Sequence, residues 1–225
     1  MLQKTSAISL SHIKYKESSV IARFFTEEFG SQSFVINGIR SSKSKISSSL
    51  FQPLTICELV EYHDEKKELH RLKEIRAEYI LRSIPFESGK IAIAIFIAEY
   101  LSKVLHDGQP NTLLFSLVKS WVLDLDSEKV AFDAMHIKLV WKTLSPLGIT
   151  PNDWQDILPA QIRPNDEQLE GLKAFFNWME DEGNAVQISG AMKQWVLDAM
   201  IFYVRTHLEG MGNLQSLNVL RQVFS

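Results

Sequence analysis

The sequence of 225 residues contains a single cysteine, Cys57. One cysteine cannot form an internal disulfide, and alone it cannot hold a structural zinc ion. The chain also lacks an uninterrupted apolar run of the roughly 18–20 residues that cross a bilayer. The N-terminal residues show neither a long apolar stretch nor a small-residue cleavage site, so no secretory signal is expected. These absences favour a soluble, cytoplasmic protein without a bound metal.

Motifs of the common enzyme classes are absent as well. The sequence contains no GxxxxGK[ST], no GxGxxG, no HExxH and no GxSxG, which are the patterns of phosphate loops, dinucleotide sites, zinc proteases and serine hydrolases. We therefore expect a protein that is not an enzyme and needs no cofactor. A hydrolase or transferase with an unfamiliar site remains an alternative, which a deep pocket lined by converging acids or histidines would favour.

Two histidines, His63 and His70, flank a polar segment that also contains Asp64 and Glu65. These side chains could be drawn as a metal site. However, six residues separate the two histidines, which is not a tight ligand spacing. The segment is interpreted as a solvated turn, and no metal ligand is predicted in the chain.

Three further groups of reactive side chains are interpreted as structural. Cys57 lies within an apolar strand pattern and is expected to be a small core residue. His136 precedes an apolar stretch and is expected to be half-buried. The acidic run of Glu180, Asp181 and Glu182 comes before Gly183 and is expected to form a solvated helix end.

Charge is unevenly distributed along the chain. The net charge is -3, but residues 1–57 sum to +4 and the remaining 168 residues to -7. A basic N-terminal segment on an acidic body is a pattern that calls for an explanation. Chance variation over a segment of this length is the competing explanation, and charge alone does not decide between the two.

The first part of the chain, up to about residue 82, shows short strand-like patterns. Residues 7–13 alternate between polar and apolar, and residues 19–25 and 33–36 form a predicted hairpin whose loop is closed by Gly30. Residues 40–49 form a long polar loop, and residues 52–62 resume the strand pattern. Residues 69–80 fit either a helix or a strand. Strands linked by hairpins within about 80 residues suit a small closed barrel.

After Pro85 the spacing of apolar residues becomes that of helices. The first helix carries a predicted apolar stripe of Ile91, Ile95, Ala98, Leu101 and Leu105. Asn111 is expected to cap the second helix. Further helices are predicted over 130–144, 166–179, 189–208 and 214–224, with 150–164 as a connector. The fold class is therefore α+β, with a β-barrel domain over 1–82 and an all-α domain over 83–225.

Basic residues in the barrel segment suggest a surface for nucleic acid. Flexible lysines suit phosphate contacts that do not depend on sequence. Phe24 and Phe25 must point to opposite sides of their strand, so one belongs to the core and the other is a candidate for base stacking; the alternative is that both faces are covered. The predicted DNA-binding residues are Lys14, Lys16, Arg23, Arg40, Lys43, Lys45, Arg71, Lys73 and Arg76.

An ordered set of segments resembles the RecO family of bacterial recombination mediators. The segments are TSAISLSHIKYKESSVIARFFTEEFG, SQSFVINGIRSSKSK, QPLTICELVEY, LHRLKEIR, IAIAIFIAEYLSKVL and LQSLNVLRQVF. The resemblance implies an N-terminal OB-fold and a helical C-terminal domain. It also implies that the protein binds single- and double-stranded DNA, anneals complementary strands and contacts the C-terminal tail of single-stranded-DNA-binding protein. With RecR, such proteins help load RecA, without a nucleotide cofactor, in the bacterial cytoplasm at the nucleoid.

The sequence departs from the family in one respect. Many members carry a four-cysteine zinc site in the helical domain, whereas residues 152–188 contain no cysteine here. No zinc is therefore predicted in that domain. For the acidic protein tail, Lys138 and Lys142 lie one turn apart on the third predicted helix and match the family's basic position before Leu147 and Gly148. An ordinary solvated lysine pair is the alternative interpretation.

A competing hypothesis belongs to a different functional class. The chain could be a non-enzymatic scaffold for protein interactions without affinity for DNA. In that case the acidic helical part binds the partner proteins, and the positive charge of the barrel has no role in binding. Binding of labelled single strands at low and high salt separates this hypothesis from the first.

Overall fold

The computed structural model describes residues 1–17, 19–37, 46–64, 66–127, 132–180 and 188–224. Arg40, Lys43, Lys45, Glu65, Asp181 and Glu182 lie outside these residues. The first part of the chain forms five strands. They are β1 (Leu2–Lys16), β2 (Ser19–Thr26), β3 (Gly30–Asn37), β4 (Ile56–Tyr62) and β5 (Leu69–Ala77).

The five strands close into a barrel in the order β1-β2-β3-β5-β4. Strands β3 and β5 pair in parallel, whereas the other four pairs are antiparallel. This is the OB-like barrel implied by the family resemblance, and it confirms the predicted α+β class. The ambiguous segment after residue 68 is strand β5, and Gly30 closes the β2–β3 hairpin with a φ of 69°.

The barrel interior is filled mainly by aromatic and aliphatic side chains. Phe24 lies at its centre, with ring centroids 5.9 Å from Phe34 and 6.4 Å from Phe51 in edge-to-face geometry. This arrangement is the favoured one for aromatic pairs. The other buried members of this cluster are Ala7, Ala22, Ile36, Cys57 and Leu59.

Six α-helices follow within the described residues. They are α1 (Ser88–Val104), α2 (Thr112–Asp126), α3 (Met135–Leu144), α4 (Asp166–Glu180), α5 (Gly190–His207) and α6 (Ser216–Val223). As predicted, the Asn111 side chain caps α2 by accepting the N–H of Leu114. Ser189 caps α5 in the same way, through the N–H of Met192. A short 3-10 helix over Trp154–Ile157 lies in the predicted connector.

Helix α1 is buried on most of its surface. The predicted apolar stripe is wrong at Ile91 and Ile95, which are 38% and 40% exposed. Phe96, Ile97 and Tyr100 are fully buried instead. Since α1 is surrounded by neighbouring elements, a search for one apolar stripe selects the wrong face.

The outside of the barrel packs against the helices. Ile8, Phe25 and Ile56 belong to the same hydrophobic cluster as α1 and α2, and the Phe25 and Phe115 rings lie 5.4 Å apart, edge to face. Gly30 also contacts the segment after α1, because a Cβ at this position would lie 2.1 Å from the carbonyl oxygen of Gln109. The outer side of the barrel and the helices therefore share one hydrophobic core, which is separate from the cluster inside the barrel.

The connection from β5 to α1 is held by the buried carboxylate at the end of α2. Asp126 accepts hydrogen bonds from the backbone N–H groups of Arg82, Ser83 and Ile84. It also accepts the hydroxyl of Tyr79 at 3.2 Å. The predicted domain boundary between residues 82 and 83 falls within this clamped segment.

Candidate nucleic-acid interface

The far end of β1 carries an exposed basic and aromatic group. Lys14, Tyr15 and Lys16 are all exposed, and Lys14 and Lys16 pair in register with Val20 and Ser19 of β2. The Lys16 ammonium lies 5.4 Å from the centroid of the Tyr15 ring, within the range of a cation–π contact. Two cations and one aromatic ring thus lie next to each other at one end of the strand.

A second basic group lies on the outer wall of the barrel. Strand register places one residue from each of four strands in a row across this wall, namely Ile13, Ile21, Val35 and Arg71. Arg71 and Lys73 are exposed. Lys14 follows Ile13 directly, so it lies on the other side of the sheet, in the row of Val20. The structure therefore places Lys14 and Arg71 on opposite sides of the same wall.

Arg23 lies at the junction between the barrel and the helices. Its guanidinium donates to Asp107 at 2.6 Å, to the hydroxyl of Ser31 at 2.8 Å and to the carbonyl of Leu105 at 3.5 Å. The Arg23 side chain is 27% exposed. Its donors are therefore largely engaged within the protein.

Arg76 shares a carboxylate with Lys4. Glu58 accepts from Lys4 at 2.7 Å through one oxygen and pairs with Arg76 through the other. The hydrogen bond from Lys4, together with that from Arg76, lowers the pKa of the Glu58 carboxyl. The negative charge of Glu58 thus persists at neutral pH and offsets part of the local positive charge.

The hypothesis that Phe24 or Phe25 stacks on bases is wrong. Both side chains are fully buried, Phe24 in the barrel and Phe25 against α2. Tyr15, which the sequence analysis did not single out, is an exposed aromatic residue beside two of the predicted lysines and is 49% exposed. Its position between Lys14 and Lys16, at the end of an alternating strand, is the signal that could have identified it.

Three other chemically reactive side chains are buried. Cys57 is a core residue as predicted, and burial raises the pKa of its thiol to about 12. His136 is buried rather than half-buried, and burial lowers its pKa to about 3. The interpretation of residues 63–70 as a solvated turn is wrong for His70, which is 6% exposed and lies beside the buried carboxylate of Glu61.

The predicted pair for an acidic protein tail lies on α3. Lys142 is exposed, whereas Lys138 is half-buried and its ammonium lies 5.1 Å from the ring centroid of Trp178 on α4. Next to them, Trp141 packs edge to face on Phe176 at 4.6 Å. Two cations thus border an aromatic contact between α3 and α4.

A search of the described residues found no helix long and apolar enough to cross a membrane. This result agrees with the sequence analysis, which found no apolar run of the required length.

Comparison with known proteins gives matches at two levels. Residues 1–81 match the family described as "Recombination protein O N terminal". The whole chain is similar to proteins named "DNA repair protein RecO". It is 30% identical to that of Bacteroides fragilis over 247 residues, with all of both chains covered. It is 32% identical to that of Flavobacterium psychrophilum over 241 residues, with 99% of each chain covered.

A third relative, from Phocaeicola vulgatus, is 30% identical over 241 residues and is also covered completely. The similarity therefore extends from the barrel through the helices. With its closed barrel, its helical second part and this full-length similarity, the chain belongs to the RecO family.

Proposed function

We propose that this protein binds single- and double-stranded DNA, anneals complementary strands and, together with RecR, helps load RecA onto DNA coated with single-stranded-DNA-binding protein. The relatives' name, "DNA repair protein RecO", supports a role in DNA repair and recombination. We propose that the protein acts in the bacterial cytoplasm, at the nucleoid. We also propose that it acts by binding DNA and proteins rather than by catalysing a reaction.

The observation that carries the DNA-binding proposal is the exposed group of Lys14, Tyr15 and Lys16. Lysine side chains contact phosphates without sequence preference, and an exposed aromatic ring stacks on any base. Neither lysine forms an ion pair with a described residue. Arg71 and Lys73, on the opposite side of the wall from Lys14, are a second proposed group of phosphate contacts. Arg23 and Arg76 contribute less, because carboxylates already pair with them.

Salt dependence tests this proposal. If four to six phosphates are neutralised, the log-log slope of single-strand affinity against salt is expected at about -3 to -4. Replacing both Lys14 and Lys16 with alanine should reduce the magnitude of the slope by about 1.4, at about 0.7 for each lost phosphate contact. Lys173→Ala, at an exposed position of α4, is the matched control. Affinity that does not respond to salt would refute the proposal.

We assign the tail of single-stranded-DNA-binding protein to Lys138 and Lys142. A tail with acidic residues and a free terminal carboxylate needs cations beside an apolar surface, and Trp141, Trp178 and Phe176 lie next to the pair. Replacing both lysines with alanine should weaken binding of a tail peptide, measured by fluorescence anisotropy. Unchanged peptide affinity would rule out this assignment.

Annealing provides the functional test. Complementary oligonucleotides coated with single-stranded-DNA-binding protein should pair faster in the presence of this protein, without ATP. The alternative, a scaffold without DNA affinity, predicts no mobility shift of labelled single strands at any salt concentration. The ion pairs of Arg23 and Arg76 are the observations that favour this alternative, and the salt titration decides between the two.

A further inference from the structure

Three potential metal-binding side chains converge at one end of the barrel. Glu61 is near the end of β4, His63 follows this strand, and His70 is the second residue of β5. One ligand atom from each residue lies within 4.8 Å of the others. Since β4 and β5 are adjacent and antiparallel, the two ends of the 63–68 connection bring the histidines together despite their separation in sequence.

The carboxylate of Glu61 is buried and faces two histidines at 3.5 and 3.7 Å, without a hydrogen bond to either. Its side chain is completely buried, and neither oxygen has a hydrogen-bond partner among the described residues. The same holds for the Nδ1 atoms of His63 and His70. Buried polar groups are normally paired, and a buried carboxylate without a partner is especially unfavourable. These four atoms, two oxygens and two nitrogens, form a donor set whose chemistry suits a bound cation.

The spacing of these atoms fits metal ligation better than direct hydrogen bonding. Glu61 Oε1 lies 3.5 Å from His63 Nδ1, and Glu61 Oε2 lies 3.7 Å from His70 Nδ1. Direct hydrogen bonds of this type are about 2.7–3.2 Å long. Tetrahedral zinc with bonds of about 2.1 Å separates its ligand atoms by about 3.4 Å.

Neighbouring side chains hold the two imidazoles in place. The His63 ring stacks on Phe29 with centroids 4.0 Å apart. His70 Nε2 lies 3.4 Å from the side-chain amide of Gln32. When Nδ1 binds a metal, Nε2 carries the proton, and the Gln32 amide can present its oxygen as the acceptor after a flip.

We propose that Glu61, His63 and His70 form a Zn²⁺ site with two imidazole nitrogens and one carboxylate. Imidazole ligands favour Zn²⁺ over Mg²⁺, which prefers oxygen ligands. Three protein ligands leave the fourth tetrahedral position for water. Beside the cluster is a cleft of about 630 Å³, lined among others by Phe29, Lys66 and Asp107. The ion joins the end of β4 to the start of β5.

The site is separate from the four-cysteine site that the family resemblance implies for other members. Its ligands come from the barrel, whereas that zinc site belongs to the helical domain. The proposal also stands independently of DNA binding, since it uses none of the residues proposed for that function.

Metal titration of the full-length protein tests the proposal. After treatment with a chelator, Zn²⁺ should bind with 1:1 stoichiometry in calorimetry and raise the melting temperature, whereas Mg²⁺ should do neither. Glu61→Gln, His63→Ala and His70→Ala should each weaken Zn²⁺ binding at least tenfold. His12→Ala, an exposed histidine on β1, should bind as the wild type does.

The Glu61→Gln variant guards against a loss of binding caused by misfolding. It keeps the shape of the side chain and removes the buried charge, so its metal-free form should melt no lower than the metal-free wild type. In this variant Zn²⁺ should no longer raise the melting temperature. No Zn²⁺ binding by the wild type, equal binding of Mg²⁺, or unchanged Zn²⁺ binding by Glu61→Gln would each overturn the proposal.

Discussion

Arg23 and Asp107 form an ion pair across the junction between barrel and helices, with 2.6 Å between Nη2 and Oδ1. We expect Arg23→Gln to lower the free energy of unfolding by about 1 kcal/mol, because the pair is partly exposed but also includes a hydrogen bond to Ser31. The salt slope of DNA binding should change less than it does for Lys14→Ala, because the guanidinium already binds Asp107 and Ser31. Urea denaturation and anisotropy titrations at several salt concentrations measure the two quantities.

Lys14→Ala provides the contrast to this variant. Its stability should stay within about 0.5 kcal/mol of the wild type, since surface substitutions rarely change more. The magnitude of its salt slope on single strands should fall by about 0.7. An equal fall for Arg23→Gln would mean that Arg23 leaves Asp107 to contact phosphate.

Tyr15 is expected to stack on DNA bases. Tyr15→Ala should weaken single-strand binding by about 1–3 kcal/mol, which corresponds to at least about fivefold. Tyr15→Phe should retain most of the affinity, because the ring rather than the hydroxyl makes the contact. Tyr62→Ala, at a similarly exposed position of β4, serves as the control. Equal affinity of the Tyr15→Ala and wild-type proteins would exclude stacking at this position.

Asp126 is expected to be essential for the connection between β5 and α1. Asp126→Asn should lower the free energy of unfolding at neutral pH by about 2–3 kcal/mol, because one amide group cannot accept the same set of N–H donors as a carboxylate. Denaturant unfolding monitored by circular dichroism measures this loss. Asp124→Asn, at an exposed position on the same helix, should change stability little.

The same carboxylate gives stability a defined pH dependence. Burial alone would raise the pKa of Asp126, but the backbone N–H groups of Ile84, Arg82 and Ser83 outweigh it and lower the pKa below 3.8. The folded state therefore binds this proton more weakly than the unfolded state. The stabilisation is complete above pH 3.8 and is lost as the pH falls through the folded pKa. Asp126→Asn should lack this acid-dependent component.

Cys57 is expected to be unreactive in the folded protein. Because burial raises its pKa to about 12 from the usual 9.0, the thiolate fraction at pH 8 is about a thousandfold lower than for an exposed thiol. A thiol-specific chromogenic reagent should therefore react only when guanidinium chloride unfolds the chain, with one thiol per molecule. Rapid reaction of the native protein would show that the barrel opens at Cys57.

The aromatic pair of β2 shows what strand periodicity can predict. Alternation correctly placed Phe24 and Phe25 on opposite sides of the strand, with one of them in the barrel. Whether the second side faces water depends on Phe115, which comes far later in the chain. Local patterns carry no information on that contact, so the sequence left both an exposed and a covered ring open, and the structure shows the covered one.

The ambiguity over β5 has a local physical cause. Leu72 and Ile75 both face the barrel interior, although three residues of regular strand would place them on opposite sides. A register shift leaves Lys73 as one extra residue in β5, because Leu72 pairs with Glu61 and Ile75 pairs with Leu59. The resulting spacing of three residues imitates a helix.

Charge partners were the least predictable part of the candidate site. Sequence identified the basic residues, but it could not show that Asp107 engages Arg23 or that Glu58 engages Arg76. It also could not show that the fold brings Glu61 to His70. These pairs form only when strands and helices distant in sequence come together.

The core shared by barrel and helices limits how the molecule can move. Ile8, Phe25 and Ile56 would have to leave their apolar neighbours before the two halves could hinge, and large hydrophobic junctions resist such motion. We therefore expect the tip of β1 and helix α3 to keep a nearly constant distance and angle. The two proposed binding surfaces should therefore not move towards each other, and the bound DNA or peptide would have to bend instead.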